Sequence, residues 1–214
     1  GLFGVLGLRY QTSVYAPLKI YGPPGTKQMV DGILTAMQPA AHSGYGMPGS
    51  AYHAPGEGIE VIEIRDGARF ALGSAKVTAR KNTHYSFAAG SADDQAYESL
   101  SLRFDMPDRV IVYTGDTGPS SAVVELAKGA DLLVSEMIDL EGTLADIRRA
   151  SPNLPAAAMT PLETHLRTHH LTPEELGDLA SAAQVKAVVV THLSAPDLTG
   201  ARELDYLARI HSRF

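Results

Sequence analysis

The sequence predicts an α/β fold, a mixed sheet flanked by helices. Two observations carry this expectation. Between Ile59 and Ala79 apolar residues recur at a period near two, the mark of half-buried strands. From Val110 onward short apolar runs alternate with helix-length segments, as in parallel strands joined by crossover helices.

Residues 1–14 read as a short, Gly-weakened apolar helix that Pro17 ends. Leu18–Tyr21 reads as a strand and Gly22-Pro23-Pro24-Gly25 as a turn. A helix from about Thr26 to Met37 follows, with Met29, Val30, Ile33 and Leu34 on one face. Residues 38–58, with Tyr45, Tyr52 and His53, break all periodicity and read as a mobile surface loop or a substrate-facing lid. Ile59–Ile64, Ala68–Leu72 and Val77–Ala79 read as strands of an antiparallel meander, with Asp66-Gly67 as a hairpin signal. A loop is expected over 86–97, then strands at Leu100–Phe104 and Val110–Tyr113. The second half continues with a helix over 120–128, a strand at Leu132–Val134 and helical segments between 141 and 168. A helix over 172–184, a strand at Ala187–Val190 and a last helix over about 200–211 complete the chain.

At 214 residues, 44% hydrophobic and 20% charged, the chain has the balance of a globular protein of one or two domains. No apolar run approaches the roughly 20 residues a membrane helix needs. A net charge of -6 disfavours a nucleic-acid surface, which normally carries a basic stripe. With no cysteine, a metal must be held by His, Asp or Glu, and eight His are available. Lack of cysteine fits cytoplasm and periplasm alike. The opening Gly1-Leu2-Phe3-Gly4 has no initiator Met and no charged leader region, so a processed or truncated start is expected.

The most informative pattern is positional. Val110–Tyr113 runs into Thr114-Gly115-Asp116-Thr117, Asp131–Val134 into Ser135-Glu136, and Ala187–Val190 into Thr191-His192. Each apolar run ends on an ionisable group, at the strand ends where binding groups gather. Singly, each has a dull explanation: a turn for Asp116, a surface pair for Glu136, a satisfied core-edge ring for His192. A chance clustering of all three is much less expected, because a buried charge needs a partner or a metal. His84 follows another strand, and His170 precedes a doubly signalled helix start at Thr172-Pro173-Glu174-Glu175.

Val112–Ser120, Leu126–Glu136, His170–Gly177, Val188–Leu193 and Leu18–Thr26 together resemble the metallo-β-lactamase superfamily, in the branch of ribonuclease Z and arylsulfatase-like hydrolases. The resemblance covers nearly all of residues 1–214 and implies an αββα sandwich that is N-terminally incomplete. It makes His84 and His192 ligands of the first and second metal and Asp116 the carboxylate bridging both. His170 becomes the catalytic group facing the substrate, with Glu136 and Thr117 supporting the site from behind. The superfamily's His-x-His-x-Asp-His string does not occur. The chain is therefore expected to begin just after it and to be inactive by itself.

The implied chemistry is hydrolysis by two Zn²⁺ ions, Mn or Fe also suiting the ligands, about 3.5–4 Å apart and sharing a hydroxide. A small-molecule ester (phosphodiester, sulfate or carboxylic ester) is the expected partner. A tRNA 3′-processing endonuclease is the alternative enzyme, and an inactive or metal-poor fragment the alternative of another class. No membrane partner is expected, and a homodimer is left open.

Overall fold

The computed structural model describes residues 1–49, 51–85, 87–195 and 200–214, without the side chains of Tyr45 and Ala201. Ser50 and Ser86, within the loops expected over 38–58 and 86–97, lie outside the described residues. The chain divides into two units, Gly1–Ile64 and Arg65–Phe214.

In the first unit, helix α1 (Leu2–Gln11) is followed by strand β1 (Leu18–Gly22), helix α2 (Thr26–Ser43), a 3₁₀ turn (Gly44–Gly46) and strand β2 (Ile59–Glu63). β2 is not part of a meander: it pairs in parallel with β1, Leu18 opposite Ile59, as a separate two-stranded sheet. Period two reports a half-buried strand but not its neighbour, so the pairing was not readable. The N-cap of α2 is Gly25, which has no side chain to offer. Glu63 supplies the acceptor instead, its Oε1 taking Gly25 N–H at 2.9 Å and Lys27 N–H at 3.0 Å.

α2 also runs past the expected end at Met37, through Pro39 to Ser43. A proline there forfeits one backbone hydrogen bond, and the helix stops only where Gly44 turns left-handed at φ 51°. Of its expected apolar face, Val30 is fully buried while Met29 is half exposed. Residues 47–49 and 51–58 carry no regular secondary structure but are tied back. Arg9 donates to the carbonyls of Ala16 and Glu57, Tyr52 Oη donates to Gln38, and His53 stacks on Tyr15.

The second unit holds a six-stranded sheet in chain order: β3 (Arg69–Leu72), β4 (Ala75–Lys81), β5 (Leu100–Asp105), β6 (Val110–Tyr113), β7 (Leu132–Ile138) and β8 (Val188–Ser194). The β3–β4 hairpin turns at Gly73-Ser74, Leu72 facing Ala75, so Asp66-Gly67 is not the hairpin turn. Asp66 instead accepts from Arg80 Nε and Lys81 N. A short helix α3 (Ala92–Ala96), capped by Ser91, interrupts the loop expected over 86–97.

Strand direction then places the chemistry. β3 to β6 are antiparallel neighbours, and β6, β7 and β8 are parallel. Two antiparallel steps return β4 to the direction of β6, so β4, β6, β7 and β8 deliver their carboxyl ends to one edge. His84 and Asp116 lie just beyond the ends of β4 and β6, and Glu136 and His192 lie in the last three residues of β7 and β8.

The parallel strands are linked by α4 (Ser121–Ala127) and by α5 (Leu140–Ala150), α6 (Ala156–His169) and α7 (Pro173–Ala183); α8 (Gly200–His211) follows β8. Val123, Leu126, Leu133, Met137, Leu176, Leu179 and Ile210 lie in one core between these strands and helices. Buried Asp139 caps α5 through Gly142 N–H and accepts from Tyr206 Oη (2.8 Å) and Arg202 (3.1 Å), pinning α8 to the start of α5. Thr172 and Glu175 form the expected capping box of α7, behind Pro173.

Because that box satisfies two helix-end donors at once, Thr172→Ala is expected to destabilise the protein by about 1 kcal/mol. Urea denaturation checks it; an unchanged midpoint would show that packing alone fixes this helix start.

Candidate metal centre

The turn after β6 needs its glycines. Gly115 sits at φ 60°, and a Cβ there would press on the Leu100 carbonyl. A Cβ on Gly118 would run into the Thr168 carbonyl at the end of α6. This close approach brings Asp116 beside three other segments. Its Oδ1 lies 3.2 Å from His192 Nδ1 and its Oδ2 3.9 Å from His84 Nε2. Each oxygen thus faces a different imidazole.

His84 is placed by Asn82, a buried residue that was not singled out in the sequence. Asn82 Oδ1 accepts from His84 N–H at 3.2 Å, and its Nδ2 donates to Ser101 Oγ (3.2 Å) and the Thr114 carbonyl (3.1 Å). The His84 ring then donates from Nδ1 to the His169 carbonyl at 3.3 Å, while His169 Nδ1 meets the Thr83 carbonyl. This reciprocal pair leaves His84 Nε2 on the Asp116 side.

His192 lies inside β8, which runs beyond the expected Val190 to Ser194. Ser135 faces Val190 and Met137 faces Leu193, so Glu136 alone opposes Thr191 and His192. The extra residue is a β-bulge, and His192 takes φ 45° within it. For a residue with a Cβ such a backbone costs about 1–3 kcal/mol and is kept where the surroundings impose it. The bulge re-aims the ring towards Asp116.

Glu136 is 1% exposed and accepts three hydrogen bonds. Its Oε1 takes Leu171 N–H at 3.0 Å and Thr117 N–H at 3.3 Å, and its Oε2 lies 3.2 Å from His170 Nδ1. The bond to Glu136, opposed by burial and helped by Asp116, raises the His170 pKa above the ordinary histidine value. Fully buried Thr117 accepts from Thr83 N–H at 3.4 Å, so it joins the His84 loop to the Asp116 loop. All six residues singled out in the sequence therefore fall in one connected cluster.

One member was missed. His165, on α6, meets His84 at 5.5 Å and His170 at 5.7 Å between ring centroids and stacks on His169 at 5.1 Å. Burial, then the neighbouring His169, His170 and His84, lower its pKa. The four-residue spacing to His169, which puts both rings on one helical face, was the available signal.

The residues fit a divalent transition metal. The donors are imidazole nitrogens and carboxylate oxygen, with no thiolate. His84 and His170 each have Nδ1 held by an oxygen, the outer hydrogen bond typical of metal-ligating histidine.

Comparison with known proteins identifies the family and the fold. Residues 2–193 match the family described as beta-lactamase superfamily domain. A ribonuclease Z of an Exiguobacterium species is 26% identical over 100% of this chain and 72% of its own length. The metallo-beta-lactamase fold protein YhfI from Bacillus subtilis superposes with TM-score 0.60 at 16% identity, over 99% of this chain and 65% of that one. The short form of human tRNase Z gives 0.51 at 22% identity, over 90% and 67%. These structural likenesses establish the fold, and the chain spans about two thirds of such relatives. The chain belongs to the metallo-β-lactamase superfamily and has its fold.

Proposed function

We propose that the protein is a metal-dependent hydrolase of esters, with phosphodiesters the favoured class. The observation that carries this reading is Asp116, whose two oxygens face His84 and His192 separately, beside a His170 ring fixed on buried Glu136. His84, Asp116 and His192 would hold Zn²⁺, Mn²⁺ or Fe²⁺. When bound, such an ion supplies Lewis acidity and makes water a nucleophile near neutral pH. The protein's own part is positioning and proton delivery. Glu136 fixes the His170 ring through Nδ1 and keeps it protonated to higher pH, so Nε2 can give a proton to the departing oxygen. Thr117 and Asn82 hold the Asp116 and His84 loops in register while this happens.

A second reading, RNA as the phosphodiester, is favoured by relatives named Ribonuclease Z and Ribonuclease BN. The net charge of -6 favours a smaller substrate. Hydrolysis of bis(4-nitrophenyl) phosphate, an aryl sulfate, a carboxylic ester and a precursor tRNA separates these. The assay uses metal-loaded protein as its gene encodes it and, in parallel, residues 1–214 alone. Turnover of none of the four by either sample sinks the hydrolase reading. Activity confined to the first means that flanking residues help complete the site.

Asp116→Asn should weaken metal binding and turnover by about 10- to 100-fold or more, and unchanged turnover would remove it from the site. His170→Ala should cost about 10²–10⁴-fold in kcat, concentrated in substrates with poor leaving groups. An equal loss for good and poor leaving groups would mean that His170 is no acid.

The His170–Glu136 pair also sets a pH dependence. A histidine whose folded pKa is raised adds stability below its ordinary pKa of about 6.5, and loses it as pH rises through the raised value. In chelator-treated protein the stability advantage of wild type over Glu136→Gln should therefore shrink as pH climbs from the ordinary histidine pKa of about 6.5 through the raised value. A gap that widens with pH would contradict the pairing.

A further inference from the structure

We infer that His84, His165 and His170 form a three-imidazole seat for one divalent transition-metal ion, separate from the Asp116–His192 pair and sharing only His84 with it. One ring nitrogen from each residue can be chosen so that all three lie within 4.8 Å of one another. Among the described residues this is the group of His, Asp and Glu that meets such a spacing. Tetrahedral Zn–N bonds of about 2.0–2.1 Å place donor atoms about 3.4 Å apart, so side-chain rotation has to close at most about 1.4 Å.

Ring orientation supports convergence on one point. The three pairs are edge-on, at 66° for His84–His165, 80° for His84–His170 and 83° for His165–His170. Three mutually steep rings with close nitrogens is how imidazoles surround an ion, whereas an apolar ring cluster has no need for its nitrogens to meet.

Outer contacts support it as well. His84 gives Nδ1 to the His169 carbonyl and His170 gives Nδ1 to Glu136, so Nε2 is the nitrogen each has left for an ion. Those acceptors come from the end of α6 and from β7, elements fixed by the sheet and by the α7 capping box. His165 joins from one turn earlier on α6, on the same face as His169. Two of the three ligands are thus anchored by other parts of the fold, and three histidines with an open fourth position make an accepted zinc ligand set.

This seat needs no substrate and does not rest on the hydrolase reading. It competes with it at one point, because an ion held by His170 Nε2 leaves that nitrogen unable to deliver a proton.

The test is Co²⁺ alone, titrated into the chelator-treated protein and followed by visible absorption and calorimetry. In the double variant Asp116→Asn with His192→Ala, one Co²⁺ per chain should still bind. Adding His165→Gln should weaken that binding by about 10- to 100-fold, scaled on the cost of losing supporting groups at metal sites. Metal-free circular dichroism and urea midpoints of each variant establish that the fold is intact, and His165→Asn repeats the measurement with a shorter side chain. If the double variant binds no Co²⁺, or if neither His165 variant changes its affinity, the three-histidine seat is overturned. Neither outcome touches the hydrolysis assays, which read the Asp116 set.

Discussion

The carboxylate of Glu136 is the interaction on which the rest of the site depends. Burying an unpaired carboxylate costs several kcal/mol, and here three donors offset that cost. The donors come from two places far apart in sequence: Thr117 in the loop after β6, and the neighbours His170 and Leu171 between α6 and α7. One charge on the end of β7 therefore gathers the segments that carry Asp116, His165 and His170. It also raises the pKa of His170, so support of the fold and the basicity of that ring rest on a single group.

Around that carboxylate the site is assembled by backbone carbonyls as much as by side chains. The His84 ring addresses the His169 carbonyl and the His169 ring the Thr83 carbonyl, and Gly118 lets the Thr168 carbonyl press against the Asp116 loop. Such contacts leave little freedom for the rings they orient, because rings held through one nitrogen can present only the other. Asn82 adds the link between the His84 loop and strands β5 and β6.

Much of this was legible in the sequence because strand ends leave a linear trace. An apolar run followed by an ionisable residue marks Asp116 and Glu136, and cap chemistry marks the start of α7. What escaped depends on pairing in space. The parallel partnership of β1 and β2 has no signature within either strand, and the extension of α2 past Pro39 follows from where Gly44 stops it. Asn82 and His165 carry ordinary local context, so their roles appear only when β4, β6 and α6 meet. The bulge was hidden for the same reason: one extra residue shows only against the strand opposite.

That bulge sets the stability of the sheet against the geometry of the proposed site. With one residue fewer between Val190 and Leu193, β7 and β8 would pair without interruption and no side chain would bear a left-handed backbone. The sheet would gain, while the imidazole would leave Asp116. Laboratory selection for heat resistance alone would reward that loss, so a stabilised descendant of this protein has to be screened for the proposed metal binding and not only for its melting temperature.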